Sequence, residues 1–151
     1  MIEVFGDLWT YPADVRVITT NGTVKKDGSC VMGRGCAFEA KQRHQNLDKI
    51  LGSLIKNHGN HVHILFMGNA LVMDPALLSF PVKHNWYEKA DADLIRRSAE
   101  ELTLMVDDQH RYWRGSKVAL PRPGCGNGHL KWEDVRPILA PNQLNERSML
   151  T

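Results

Sequence analysis

The stretch "LPRPGCGNGHLKW", residues 120–132, carries glycine at three alternate positions, Gly124, Gly126 and Gly128, directly after an apolar segment that ends at Leu120. Glycine recurs in this way where the backbone takes a positive φ or comes very close to another group. Open α/β sheets bind ligands just outside the carboxyl ends of their strands. The stretch therefore indicates a strand, a ligand loop and a following helix.

The rest of the chain alternates short apolar runs with longer helical patterns, which predicts an α/β layer fold. Strands are predicted at "IEVF", "DVRVITT", "HVHILF", "NALVMD" and "KVALP", and "LLSF" is a further short apolar run that ends at Pro81. Helices are predicted at "GCAFEAKQRH", from Leu47 to Ile55, from Asp91 to about Asp107, and at "KWEDVRPIL". We expect "HVHILF" and "NALVMD" to pair across a tight turn at Met67 and Gly68. The segment 140–151 shows no strand pattern.

Length and composition predict one domain over residues 1–151. The chain has 19 basic and 17 acidic residues, and this balance neither favours nor excludes nucleic acid as a partner. Three cysteines without C-x-x-C spacing predict neither a disulfide framework nor a cysteine zinc site. With no signal-like N-terminus and no long apolar run, we expect a soluble, cytoplasmic monomer with no membrane partner.

A second glycine cluster, "MGRGCAFEAK" with Gly33 and Gly35, follows the strand "DVRVITT". Neither cluster fits the P-loop pattern G-x-x-x-x-G-K-[ST], and "GRGCAF" lacks the third glycine of a dinucleotide fingerprint. Backbone N–H groups at two helix N-termini would still hold a pyrophosphate through hydrogen bonds and helix dipoles. Each cluster taken singly could form only a turn, but two clusters after two strands favour a ligand.

These motifs together resemble the macrodomains, which bind ADP-ribose between two such loops on a three-layer α/β/α fold with a mixed central sheet. The resemblance runs from Phe5 to about Leu139 and rests on "GDL", "VITTNG", "VMGRGCAFEAK", "FPVKHNW" and "LPRPGCGNGHLKWEDVRPIL". "FPVKHNW" is similar to a motif of one branch of the family. That branch contains bacterial antitoxins that remove ADP-ribose from DNA and a related human hydrolase that acts on ADP-ribosylated acidic side chains.

The resemblance implies a residue for each part of the ligand. Asp7 would bind the adenine amino group, Asn21 would lie against the distal ribose, and the two glycine loops would hold the phosphates. The predicted binding residues are Asp7, Leu8, Asn21, Met32, Gly33, Arg34, Gly35, Cys36, Gly124, Cys125, Gly126, Asn127 and Gly128. The predicted catalytic residues are Lys83, Asn21 and His84.

Lys83 would act on the distal ribose as a nucleophile, or it would hold the leaving group. A lysine nucleophile must be neutral, whereas an ordinary lysine is only about one part in a thousand neutral at pH 7. Burial or a cationic neighbour would therefore have to lower its pKa by roughly three units, about 4 kcal/mol. The alternative for Lys83 is an exposed lysine at a strand end, and the alternative for Asn21 is an Asn-Gly turn.

Three departures from the family pattern are visible. The human relative has an acidic residue at the position of Gly128, the family's usual upstream Asn is replaced by Thr19 or Thr20, and the terminal apolar strand of the relatives is not evident. "GCGNGHL" instead resembles the antitoxin form, with His129 in place of a glycine.

The resemblance favours a hydrolase that removes ADP-ribose from a macromolecule, with DNA ahead of protein as the modified target. Two alternatives stay open. One is a phosphatase acting on ADP-ribose 1″-phosphate, in which His84 or His129 would orient water, and the other is a reader that binds ADP-ribose without turnover. We expect no cofactor. We also expect no metal, because His58, His61 and His63 have no acidic or cysteine partner nearby in the sequence.

Overall fold

The computed structural model describes residues 2–72, 74–109, 116–140 and 148–150. Its strands are β1 (Ile2–Val4), β2 (Val15–Asn21), β3 (Ile64–Phe66), β4 (Ala76–Lys83), β5 (Val118–Pro121) and β6 (Ser148–Leu150). Its α-helices are α1 (Gly35–Arg43), α2 (Leu47–His58), α3 (Ala92–Thr103) and α4 (Trp132–Leu139).

The six strands form one mixed sheet in the order β1-β6-β5-β2-β4-β3. Every neighbouring pair is parallel except β3 with β4, which is antiparallel. One apolar cluster joins a sheet face to α3 and α4 through side chains such as Phe80, Ile95 and Leu139. A second joins the opposite face to α1 and α2 through side chains such as Ile18 and Leu51. Helices on both faces give three layers, so the predicted α/β/α fold is confirmed.

The predicted hairpin between "HVHILF" and "NALVMD" is wrong. β3 pairs with β4, and Ala70–Val72 form a single 3₁₀ turn closed by the bridge between Asn69 and Asp74. All of β4 from Ala76 to Val82 is buried, so this segment fills the place beside β3, whereas Leu71 is 95% exposed. Apolar content could not decide which of two neighbouring runs enters the sheet.

The C-terminal segment also differs from the expectation. Although residues 140–151 show no strand pattern, Ser148–Leu150 form β6 between β1 and β5. Ser148 is opposite Ile2 on one side and Ala119 on the other. A three-residue strand with a neighbour on each side is fixed by backbone pairing, which a periodicity test cannot detect.

The helices begin and end close to their predicted positions. The Asp91 carboxylate accepts hydrogen bonds from the N–H groups of Asp93 and Leu94 and thereby caps α3. The regular helix ends at Thr103, and a π-helical turn continues the chain to Gln109. Within the described ranges, no helix is both long and apolar enough to cross a membrane.

Candidate functional site

A cleft of about 800 Å³ lies at the carboxyl ends of the three central strands. β2 ends at Asn21, β4 at Lys83 and β5 at Pro121, and all three residues line the cleft. Because β2 and β4 are parallel and register Asn21 opposite Lys83, their last residues reach the same edge of the sheet. This is where open α/β sheets bind ligands.

Most of the predicted binding residues line this cleft, together with two of the three predicted catalytic residues. Those that line it are Asn21, Met32, Gly33, Arg34, Gly35, Cys36, Lys83, Gly124, Gly126, Asn127 and Gly128. Four predicted residues are outside its lining, namely Asp7, Leu8, His84 and Cys125.

The two glycine loops converge across the cleft. Gly35 begins α1 with a φ of +60°, and a Cβ at this position would lie 3.1 Å from Asn127 Nδ2 in the second loop. A Cβ at Gly33 or at Gly126 would meet no atom within 4 Å. The loops therefore come close to each other at Gly35 and Asn127 and leave open space beside two side-chain-free positions, one in each loop.

Backbone N–H groups in both loops are available to an anion. The first loop leads into the N-terminus of α1, whose N-cap residue Arg34 makes no side-chain cap and whose first turn contains no acidic residue. The first N–H groups of a helix have no intrahelical acceptor. In the second loop, the N–H groups of Gly126 and Asn127 donate to no group in the described ranges. Such N–H groups, together with a helix dipole, favour phosphate.

The three glycines of "GCGNG" differ in backbone conformation and in the space around them. Gly124 has a φ of +75°, and a Cβ at Gly128 would lie 2.5 Å from the Gly124 carbonyl oxygen and 2.7 Å from Ala90 Cβ. The Ala90 N–H also donates to the Gly128 carbonyl at 3.0 Å. Gly124 and Gly128 therefore hold the loop against the segment before α3, and Gly126 alone faces open space. The position where the human relative has an acidic residue has no room here for a side chain.

Lys83 joins the end of β4 to the second loop. Its Nζ donates to the Asn127 carbonyl at 2.9 Å and to the Trp86 carbonyl at 3.4 Å. Burial, and secondarily the charge of Arg34, lower the pKa of Lys83 below its usual value of 10.5. The direction of this shift increases the neutral, nucleophilic fraction of the amine.

Both polar atoms of the Asn21 side-chain amide are hydrogen-bonded within the protein. Its Nδ2 donates to the Val31 carbonyl at 2.9 Å, and its Oδ1 accepts from the Thr23 N–H at 3.0 Å. These bonds close the loop that leads from β2 to Met32. Asn21 thus stabilises a turn, as its alternative interpretation holds, while it also lines the cleft.

Asp7 and Leu8 form a turn after β1. The Asp7 carboxylate accepts from the Trp9 N–H at 2.7 Å, and its backbone carbonyl accepts from Thr10 and Tyr11. Leu8 is only 8% exposed and belongs to the core on the α1 and α2 side. A role for these two residues toward adenine stays a prediction.

His84 and Cys125 are directed to other groups. His84 Nε2 lies 3.0 Å from the Asp91 carboxylate, so this imidazole is held at the start of α3. The Cys125 side chain packs against the core, and its thiol lies 3.5 Å from the Pro123 carbonyl. Burial raises the pKa of Cys125, which opposes thiolate chemistry.

Two of the three histidines near β3 are close to polar protein groups. His61 Nδ1 lies 2.9 Å from Glu101, and His63 Nε2 lies 2.8 Å from the Gly59 carbonyl. Among the residues that the structure describes, no group of three or more histidine, cysteine or acidic side chains is placed to hold a metal ion.

Sequence reasoning missed part of the cleft lining. The aromatic residue Tyr87 and several charged residues line it beside the predicted ones, and these charged residues are Lys25, Glu88, Lys89 and Arg122. Together with Arg34 and Lys83, the lining has five lysine and arginine residues and one acidic residue. These residues share one feature that the sequence could have shown: each lies in a segment that follows the carboxyl end of a central strand. The overall balance of 19 basic and 17 acidic residues conceals this local concentration of positive charge.

Comparisons with curated proteins find relatives that share one name. No protein-family model matches the chain. The chain is similar to the DNA ADP-ribosyl glycohydrolases of Mycobacterium bovis and Mycobacterium tuberculosis, with 27% identity over 111 residues in each case. These residues are 72% of this chain and 30% of the relatives, so the match spans less than a third of their length.

Solved structures give the fold. The macrodomain of Mycobacterium tuberculosis DarG matches with a TM-score of 0.79 and 24% identity, covering 99% of this chain and 97% of that one. Thermosipho africanus DarTG in complex with ADP-ribose matches with a TM-score of 0.78 and 19% identity, covering 99% of this chain and 41% of that one. Both of these structural matches extend over the whole sheet and both helical layers. The chain therefore has the macrodomain fold, and the resemblance to the DNA ADP-ribosyl glycohydrolase branch that its motifs indicate is confirmed.

Proposed function

We propose that this chain binds ADP-ribose in the cleft and hydrolyses the bond between the distal ribose and a modified macromolecule, with DNA favoured over protein. One observation carries the proposal: the two glycine loops meet at Gly35 and Asn127 while the Lys83 amine bonds the carbonyl of that same Asn127. A diphosphate between the loops would therefore bring the adjoining sugar next to Lys83. The name of the curated relatives and the ADP-ribose complex of a structural neighbour support the same ligand.

The cleft suits a doubly charged diphosphate. Gly33 and Gly126 leave room for phosphate oxygens to approach the backbone, and the α1 N-terminus directs its N–H groups toward the same space. The cleft lining has five basic side chains and one acidic side chain, so its electrostatic field attracts an anion. Main-chain N–H donors in a concave site bind phosphate without side-chain ordering, which lowers the entropic cost of binding.

The proposed reaction breaks the glycosidic bond at the anomeric carbon of the distal ribose. Water supplies a hydroxyl to that carbon and a proton to the departing target, so free ADP-ribose and the unmodified macromolecule are the products. Neutral Lys83 would attack the opened ribose or hold the leaving group, and Asn21 would border the ribose hydroxyls. A fixed amine beside a bound sugar is effective because it converts a bimolecular encounter into an intramolecular one.

The structure favours neither of the two alternatives, a phosphatase or a reader, over hydrolysis. A phosphatase would need a group that orients water inside the cleft, and His84 is instead paired with Asp91 outside it. Of the two histidines that the sequence offers for this role, only His129 lines the cleft. A lysine nucleophile requires a lowered pKa and a reader does not, and burial shifts the pKa of Lys83 in that direction.

The pH dependence of turnover should follow Lys83. Because its pKa is lowered, the neutral fraction rises with pH and becomes substantial at a lower pH than for an ordinary lysine. We expect kcat/KM on an ADP-ribosylated oligonucleotide to increase with pH, because a rising fraction of the Lys83 amine loses its proton. Initial rates measured from pH 6 to pH 10 on the parent protein test this. A rate that falls across the range would exclude the neutral amine as the reacting group.

Binding and turnover are tested together on a substrate panel. Calorimetry with free ADP-ribose measures binding, and incubation with ADP-ribosylated DNA, ADP-ribosylated protein and ADP-ribose 1″-phosphate measures turnover. We expect heat of binding with free ADP-ribose. We also expect release of ADP-ribose from the modified macromolecules, fastest from DNA. No heat and no thermal shift at millimolar ADP-ribose would contradict the binding site, and phosphate release alone would identify a phosphatase.

A further inference from the structure

Two neighbouring aromatic residues at the mouth of the cleft have no role in binding ADP-ribose as proposed above. Trp86 and Tyr87 both line the cleft, and they are 51% and 70% exposed. Their rings meet at 88° with centroids 5.8 Å apart. In this T-shaped arrangement neither ring covers both faces of the other, and both side chains are largely exposed to solvent. Exposed aromatic rings beside a binding cleft mark a surface for a partner.

The aromatic pair is held close to Lys83. The Trp86 N–H donates to Thr23 Oγ1 at 3.0 Å, and the Trp86 carbonyl accepts from Lys83 Nζ at 3.4 Å. The turn that follows β4 is closed further by the bond from the Glu88 N–H to the Asn85 carbonyl at 3.2 Å. The rings therefore stand on backbone that is tied both to the β2 loop and to the amine at the proposed reaction centre.

Two lysines line the same cleft as the aromatic pair, one in the β2 loop that bonds Trp86 and one shortly after Tyr87. Lys25 follows the Thr23 that bonds Trp86, and Lys89 follows Tyr87 by two residues; both lysines line the cleft and both are exposed. Glu88 is the single acidic residue of the lining, and its carboxylate accepts from the Asn85 side chain. Aromatic faces between lysines are the combination that binds single-stranded nucleic acid, where bases stack on rings and phosphates pair with cations.

We propose that Trp86 and Tyr87 form a stacking platform for the bases that flank the modified nucleotide of a single-stranded nucleic acid. This inference rests on the proposed function, since it places the nucleotide beyond the ribose that lies at Lys83. A single strand is required because the bases of a duplex stack on one another and offer no free face. The platform would select nucleic acid over a modified peptide, because every base presents a planar face and few side chains do.

The experiment compares two ligands on matched variants. The probes are free ADP-ribose and a single-stranded DNA oligonucleotide of about eight nucleotides with one ADP-ribosylated base near its centre, together with its unmodified copy. The variants are Trp86→Ala, Trp86→Phe and the control Phe66→Ala, which removes an aromatic ring that is 36% exposed outside the cleft. Affinities and single-turnover rates are measured at two salt concentrations.

Trp86→Ala should weaken binding of the modified oligonucleotide roughly tenfold more than binding of ADP-ribose. Trp86→Phe should recover most of this loss, Phe66→Ala should behave as the parent, and the oligonucleotide should be the more salt-sensitive ligand. Equal losses for both ligands, no loss for either, or the same loss on an ADP-ribosylated protein would each overturn the platform. If the parent binds the unmodified oligonucleotide through Trp86 but neither binds nor releases ADP-ribose, the platform stands and the proposed function fails.

Discussion

Lys83→Ala should abolish release of ADP-ribose while free ADP-ribose still binds. The amine lies at the end of β4 and bonds the Asn127 carbonyl, which is where we place the sugar end of the proposed ligand. Loss of a positioned proton-transfer or nucleophilic group costs about 100- to 10,000-fold in rate. Single-turnover kinetics on an ADP-ribosylated oligonucleotide measure the rate, and calorimetry on the same preparation measures binding.

The control for this variant is Lys56→Ala, which removes an exposed lysine of α2 outside the cleft and should turn over as the parent does. Lys83→Arg keeps a cation but cannot supply a neutral amine, so it should be as slow as Lys83→Ala. Turnover by Lys83→Ala at the parent rate would remove Lys83 from the mechanism. If binding of ADP-ribose disappears together with turnover, Lys83 contributes to affinity and the rate loss says nothing about chemistry.

Gly126→Val should weaken binding of ADP-ribose roughly 10- to 100-fold without affecting the fold. A Cβ at Gly126 meets no protein atom within 4 Å, and Gly126 is not among the residues with positive φ, so valine fits the backbone. Its methyl groups would instead occupy the space that we assign to the diphosphate. Steric overlap of about 1–3 kcal/mol corresponds to roughly a 10- to 100-fold weaker Kd, which calorimetry would detect.

Gly128→Val is the matched comparison for Gly126→Val. Here the added side chain overlaps the Gly124 carbonyl and Ala90, so we expect a loss of stability of about 1–3 kcal/mol. Thermal denaturation of both variants separates the two effects, since Gly126→Val should melt at the parent temperature. An undiminished affinity of Gly126→Val for ADP-ribose would place the ligand elsewhere.

The candidate site could largely be predicted because its signals are local. Two glycine clusters and a lysine each follow an apolar run, and the ends of parallel strands share one edge of the sheet. Asn21 and Lys83 are brought opposite each other by the pairing of β2 with β4, whose register shifts by one residue between Thr20 and Asn21. The sequence could not show that Lys83 Nζ bonds the Asn127 carbonyl, which is 44 residues away along the chain.

The strand partners that were predicted incorrectly depend on contacts between distant segments. β3 pairs with the buried β4 and not with the apolar run that directly follows it, and β6 is a strand only because β1 and β5 lie on either side of it. Hydrophobic pattern reports which residues prefer burial, but it contains no information on which neighbour provides that burial.

The sequence by itself determined the alternation of strands and helices, the two glycine loops and the position of Lys83, because periodicity and backbone freedom are properties of short segments. Only the tertiary structure decided that Gly126 is open while Gly124 and Gly128 are packed, that Lys83 is partly buried near Arg34, and that Trp86 and Tyr87 border the cleft. Each of these depends on the distance between groups far apart in the chain, and such distances arise only when the whole fold has formed.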